Sequence, residues 1–290
     1  MKTINKNIIT HILIMVGILA TLLLCIVLPF LPKDFDAIAT QISLTAQTFS
    51  VIGLITCFPA LLWLFNSVKN RNKAVDNVLL NKQRKFAKVY VYIFFVAFLP
   101  IVLMTILTLS ISFGISLLIG LFISTKYTLK RINQTTPSLL LPLFLTLLPI
   151  LLLAFQLAVD KPLTDWSRNK AIENSKELID EIESWKTKYG KYPTTLNAVH
   201  KDYSVGIRGI EKYHYTYDNT TYNLYFEQPK FLLDQFGTRE FVVYNPMDNH
   251  LMISHASWNA QWEPEQIRST QGWYASGNTG HPHWKYFWFD

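Results

Sequence analysis

The chain has 290 residues, half of them hydrophobic and 16% charged, with a formal net charge of +7. The charge is split unevenly: residues 1–159 carry 13 Lys/Arg against 3 Asp/Glu, whereas residues 160–290 carry 14 against 17. Positive charge in short segments between long apolar runs is a membrane pattern rather than a basic stripe for nucleic acid, and the only cysteines, Cys25 and Cys57, both lie inside apolar runs, so a soluble enzyme, a disordered chain and a disulfide scaffold are all excluded.

A helix rises 1.5 Å per residue, so crossing about 30 Å of hydrocarbon takes roughly 20 apolar residues. Runs at 8–31, 44–65 and 138–159 meet that need without a formal charge. The first exceeds a signal-peptide core and lacks an Ala-x-Ala end, so it is expected to remain as an anchor. Leu24 before Cys25 is not the small residue that a lipid-attachment site requires. Residues 89–125 hold 37 residues without a charge, which as one helix would extend about 55 Å. Two helices, 89–107 and 110–125, are therefore expected, with a fold-back near Thr108, Ser110, Ser112 and Gly114.

Short loops rich in Lys and Arg stay on the cytoplasmic side. With five spans, Lys2 and Lys6, the cluster from Lys69 to Lys88, and Lys126, Lys130 and Arg131 all fall inside, and only Lys33 falls outside. A four-span alternative would move Lys126, Lys130 and Arg131 outside. The expected topology is thus a bundle over 1–159 in the bacterial cytoplasmic membrane, N-terminus inside, with residues 160–290 outside. Pumps and transporters place ionisable groups inside their spans; here only His11 lies within one, near its end. Gln41, Gln47 and Gln156 are expected to hydrogen-bond between helices. An anchoring bundle is favoured over a transporter.

From Asp165 to Tyr189 the pattern becomes amphipathic, with Leu178, Ile182, Trp185 and Tyr189 at steps of four, three and four. Thr164 or Asp165 is expected to cap this helix, Gly190 to end it in a left-handed conformation, and Pro193 to hold Tyr192 extended. Thr194 or Thr195 would cap a short second helix through His200. Period-two alternation then marks a hairpin of 213–217 and 222–226 about Asp218-Asn219. Strands 240–244 and 251–255 are expected to pair across Asn245-Pro246-Met247-Asp248. Trp284 to Phe289 supplies a last strand, and Gly272 to Gly280 reads as a loop. The fold class expected is an all-α membrane bundle of five transmembrane helices followed by an α+β domain, one long helix on an antiparallel sheet.

The helix leading into Tyr189-Gly190-Lys191-Tyr192-Pro193-Thr194-Thr195-Leu196, followed by strand-rich sequence, resembles the globular part of type II secretion pseudopilins and related pilin-like exported domains. The likeness covers about 25 residues well and none of the five spans. It implies a helix on an antiparallel sheet outside the cytoplasm and a role in assembly rather than catalysis, with Gly190 and Pro193 as structural turn residues. Pseudopilins carry a glutamate early in a single hydrophobic helix, whereas Lys6-Asn7-Ile8-Ile9 leads into an acid-free span, so polymerisation as a pilus subunit is not expected.

His281-Pro282-His283 is the most metal-like motif, because extended residues i and i+2 point the same way and present two imidazoles together. No spacing fixes a third ligand, and a surface turn is the plainer reading. Glu263 and Glu265 read as a solvated turn, and Asn219-Thr220-Thr221 as turn chemistry rather than a glycosylation site. No nucleophile elbow, phosphate loop, dinucleotide fingerprint or Cys-x-x-Cys occurs. No catalytic residue and no cofactor is expected. Seven of eight tryptophans follow residue 160. Trp258, Trp262, Trp273 and Trp284 are candidates for an interaction surface, with core packing the competing role. The expected partners are membrane lipid and another envelope protein, not nucleic acid. A non-enzymatic display protein is the leading function; an exported ligand sensor with a signal-transmitting bundle and a membrane-bound metal-dependent hydrolase using His281 and His283 are the alternatives.

Overall fold

The computed structural model describes residues 6–70, 77–108, 111–132, 139–199, 204–217, 220–234, 238–250 and 273–289. Six helices precede a sheet: α1 Lys6–Val27, α2 Ala37–Lys69, α3 Asn77–Thr108, α4 Ile111–Ile132, α5 Leu140–Asn174 and α6 Lys176–Tyr189. Among the described residues three segments are long and apolar enough to cross a membrane, Ile8–Phe30, Ala37–Lys69 and Leu140–Tyr189. The 37-residue uncharged run is divided between α3 and α4. Helix α3 carries Lys82, Arg84, Lys85 and Lys88 before its uncharged stretch, and α4 carries Lys126, Lys130 and Arg131 at its end.

The chain forms two compact units, residues 1–24 with 45–157, and residues 25–44 with 158–290. In the first, α2 and α5 come close at Gly53, where a Cβ would stand 2.6 Å from the Pro149 Cβ. Small residues permit such approach between apolar helices. The Gln156 amide donates to the Ser50 hydroxyl, and the Cys57 thiol to the Thr146 carbonyl at 3.4 Å.

In the second unit the strands are β1 His214–Tyr217, β2 Tyr222–Gln228, β3 Arg239–Tyr244, β4 Trp273–Asn278 and β5 Trp284–Phe289, all antiparallel in the order β1-β2-β3-β5-β4. The hairpin β1–β2 follows its alternation, Tyr217 opposite Tyr222. Strand β3 pairs with β5; residues 251–255, expected beside it, lie outside the described residues. The stretch expected as a loop at 272–280 contains β4 instead. Pairing with the aromatic strand β5 recruits its weak strand formers, with Gly277 opposite the Tyr286 ring.

No new helix starts at Thr164 or Asp165, because α5 runs unbroken through them and ends at Asn174. The break falls at Ser175, whose hydroxyl donates to the Ile172 carbonyl at 2.7 Å. Gly190 closes α6 at φ 74, its N–H donating to the Lys186 carbonyl at 2.8 Å. The expected second helix shrinks to a 3-10 turn, Leu196–Ala198, with no side-chain cap from Thr195. Leu178 and Ile182 are buried, but the stripe fades towards Tyr189, which is 49% exposed.

Sheet register sorts the helix-facing side into three rows. Leu224, Tyr244 and Trp284 make the first, Phe226, Val242 and Tyr286 the second, and Gln228, Glu240 and Trp288 the third. Ala171, Ile172, Leu178 and Ile182 pack on the first two. Tyr225, Phe241, Val243 and Phe287 form a separate buried cluster on the opposite face.

The loop between α1 and α2 belongs to this unit. Lys33 and Asp36 donate backbone N–H groups to the Gly206 and Arg208 carbonyls at 3.1 and 2.9 Å, and Arg208 and Gly209 donate to the Leu31 and Pro29 carbonyls at 3.0 and 2.7 Å. Phe30, fully buried, stacks on Phe231 with centroids 4.6 Å apart.

Trp284 is 5% exposed and packs between Phe226 and Tyr244. Trp284→Ala is expected to destabilise the C-terminal unit by about 3–5 kcal/mol, whereas Trp166→Ala, at a ring 43% exposed, should change stability by about 0.5 kcal/mol or less. Denaturant unfolding of the full chain followed by circular dichroism measures both.

Candidate functional site

The third row is where charge enters the core. Glu240 lies on the inward phase of β3, in step with Val242 and Tyr244, and is fully buried. Arg168 of α5 precedes Ala171, Ile172 and Ser175 by three, four and seven residues, which places it on the same buried stripe. Burying either charge alone is costly, so each must be neutralised and hydrogen-bonded. The Arg168 Nε and Nη2 both donate to Glu240 Oε1, at 3.0 and 2.7 Å, and Nη1 donates to Asp165 Oδ1 at 2.7 Å. The second carboxylate oxygen accepts from the Trp288 indole N–H at 2.7 Å. The guanidinium also lies over the Tyr286 ring, 4.6 Å from its centroid. Beside this pair the Gln228 amide donates to the Ser167 hydroxyl at 2.6 Å.

Around the pair lies a titratable rim. The Lys230 Nζ donates to the Thr238 hydroxyl at 2.9 Å, stands 4.0 Å from Asp234 and lies over the Trp288 ring at 5.1 Å. Burial pulls its pKa down, against the opposing pull of Asp234, Glu240 and Asp160. Asp160, one residue past the last apolar run, has its carboxyl pushed up to about 6, first by burial and then by the Asp234 carboxylate, with Lys230 opposing. Asp160 therefore changes charge near neutral pH. The Arg168 donors and both Glu240 oxygens are engaged within the protein, so the centre of the cluster is a clamp between helix and sheet rather than an open ligand site.

A second polar group borders the tyrosines of β1 and β2. Tyr222, whose pKa is driven up mainly by burial, donates its hydroxyl to Glu183 at 3.1 Å, and Lys186 donates to the Tyr192 hydroxyl at 2.9 Å. Tyr215 donates to the Pro193 carbonyl at 2.8 Å, which ties the turn after Gly190 to the sheet.

The histidine pair does not converge. His283 has φ 66, so the motif is a turn and not extended, and the premise that both rings point one way fails. His281 Nε2 meets Asn169 Oδ1 at 3.2 Å, while His283 Nδ1 meets Asp248 Oδ2 at 3.1 Å. His250, its pKa lowered mainly by burial, bonds backbone carbonyls of Asp248 and His283. Among the described residues no three His, Cys, Asp or Glu side chains gather as a metal site. Trp284 is core, not surface, because the register sends it to the helix-facing side. Trp273 stands on β4 opposite Phe289, and Trp258 and Trp262, like Glu263 and Glu265, lie outside the described residues.

Sequence reasoning missed Arg168 and Glu240. A usable signal exists: a cation on the apolar stripe of a helix and an anion on the inward phase of a strand, each unexplained by its own element. No family model matches the chain, and neither a curated protein nor a solved structure matches it.

Removing one buried partner leaves the other uncompensated. Arg168→Met is expected to cost about 3–5 kcal/mol, and Arg168→Met with Glu240→Leu to recover most of that loss; unfolding of the three proteins side by side measures the difference. Asp160 favours folding only while protonated, since its folded pKa of about 6 exceeds the ordinary 3.8. That contribution is intact below the ordinary value and lost as pH rises through about 6. Asp160→Asn should thus match the native chain at pH 4 and exceed its stability at pH 7.5 by about 1 kcal/mol, the half-buried site being screened by water.

Proposed function

We propose that this chain is a non-enzymatic integral membrane protein of the bacterial envelope that displays a pilin-like α+β domain outside the cytoplasmic membrane for protein–protein interaction or assembly. The observation that carries the display is the backbone pairing of residues 29–36 with 206–209. Two segments hydrogen-bonded to each other lie on one side of a bilayer. The chain leaves that side after α1 and returns to it after α5, so the crossings in between are even in number. Four crossings by α2, α3, α4 and α5 satisfy this and give five spans in all; two by α2 and α5 alone would satisfy it too, whereas a single crossing by residues 89–125 does not. The five-span reading rests on the division of that run between α3 and α4. The Lys and Arg between α2 and α3 and after α4 then stay inside by the positive-inside rule.

The pilin-like reading is supported by α5 and α6 carrying Ala171, Ile172, Leu178 and Ile182 onto an antiparallel sheet, with Gly190 and Pro193 at the helix-to-sheet turn. Interaction is favoured over catalysis because the Arg168–Glu240 pair at the centre of the buried cluster is taken up by bonds within the protein.

Cysteine labelling tests the topology. In a Cys25→Ser, Cys57→Ser background, Met247→Cys (native residue 65% exposed) and Phe35→Cys (44% exposed) should both react with a membrane-impermeant maleimide in intact cells. Lys82→Cys should react only after permeabilisation. Labelling of Lys82→Cys in intact cells, or a split between Phe35→Cys and Met247→Cys, defeats the reading. For the assembly role, an impermeant crosslinker on intact cells should shift the chain into a discrete larger species, and a chain that stays wholly monomeric under that treatment argues for display without assembly.

A further inference from the structure

In the unit formed by residues 1–24 and 45–157, two cavities of about 280 and 440 Å³ abut, sharing Phe49, Phe94, Leu121 and Ser124. One wall is a single face of α3: Ala87, Val91, Phe94, Phe98 and Val102, at steps of four, three, four and four. A face of α4, Ser116, Gly120, Ser124, Thr128 and Ile132, lines the same two cavities, with Phe49 and Trp63 of α2 and Leu141 and Leu145 of α5 beside it. The step from Ala87 to Val102 makes the groove about 22 Å long. That exceeds the reach of one leaflet, about half of a roughly 30 Å hydrocarbon layer. Its middle is aromatic, with Phe98 stacked on Phe94 at 4.4 Å and 5.3 Å from Phe49.

The two ends differ in charge. Arg84 lies one turn before Ala87 on the same α3 face, and Lys88 follows Ala87 directly. The Arg84 Nε is buried and has no hydrogen-bond partner among the described residues. The unit holds twelve Lys/Arg and one acid, Asp76. Its cations therefore take most of their counter-charge from outside the unit, and in a bilayer the available anions are lipid phosphates. A guanidinium matches a phosphate with two parallel N–H donors, and a mostly apolar slot of this length suits a flexible hydrocarbon chain.

We propose that this groove binds an anionic glycerophospholipid, one acyl chain lying between α3 and α4 and the phosphate headgroup resting against Arg84 and Lys88. The proposal rests on the membrane reading of the chain and not on which side carries the C-terminal domain. The full chain, purified in mild detergent and titrated with phosphatidylglycerol or phosphatidylcholine, is read by native mass spectrometry. Phosphatidylglycerol should bind about tenfold or more tightly, and Arg84→Gln with Lys88→Gln should bring it down to the phosphatidylcholine level. Gly120→Phe, at a position where an added Cβ meets no atom within 4 Å, should weaken both lipids by filling the slot without disturbing the fold, which circular dichroism checks. Equal binding of the two lipids by the native chain, a preference that survives the charge variant, or unchanged binding by Gly120→Phe each overturns the proposal. Release of the chain from membranes by alkaline carbonate would instead defeat the membrane reading beneath it.

Discussion

Four backbone hydrogen bonds between residues 29–36 and 206–209 are the constraint on which the C-terminal unit depends. The connection between α1 and α2 is too short to form an element of its own beyond a 3-10 turn at Leu28–Phe30, so its peptide groups need partners elsewhere. They find them in a segment more than 170 residues later in the chain. Phe30, stacked on Phe231, removes the same connection from solvent. A loop that reads as a simple link between two apolar runs is thereby part of the folded C-terminal unit.

The three rows on the helix-facing side show how one register serves two purposes. Tyr244 and Trp284, then Val242 and Tyr286, give α5 and α6 an apolar bed. Glu240 and Trp288 end it with a charge and an indole. Because side chains alternate along a strand, a one-residue slip of β3 would turn Glu240 outward and bring Phe241 beneath Arg168. The ion pair gains little in net stability over an apolar replacement, since desolvation offsets much of its attraction. Its value lies in penalising the slipped arrangement, in which a buried guanidinium would face a phenyl ring.

Legibility in the sequence followed the range of the interaction. Gly190 was readable because a left-handed helix end is decided within one turn, and so was the β1–β2 hairpin, whose alternation and turn residues are neighbours. The division of residues 89–125 was readable because the length of an uncharged run is compared with a fixed membrane thickness. By contrast, β3 pairs with β5 across 40 to 50 residues, and no local pattern names a strand's partner. Strand β4 ends in Ala275, Ser276, Gly277 and Asn278, poor strand formers that the ladder with β5 holds extended. The histidine motif misled for a related reason. Two imidazoles two residues apart converge only in extended backbone, and His283 is left-handed.

The two units meet opposite electrostatic demands. In the C-terminal unit Arg168 pairs with Glu240 and Asp165, and Lys230 stands near Asp234. The other unit is poor in acids and cannot neutralise itself. A bilayer would supply hydrocarbon against faces such as Phe58, Phe65 and Leu157, which are 65–70% exposed.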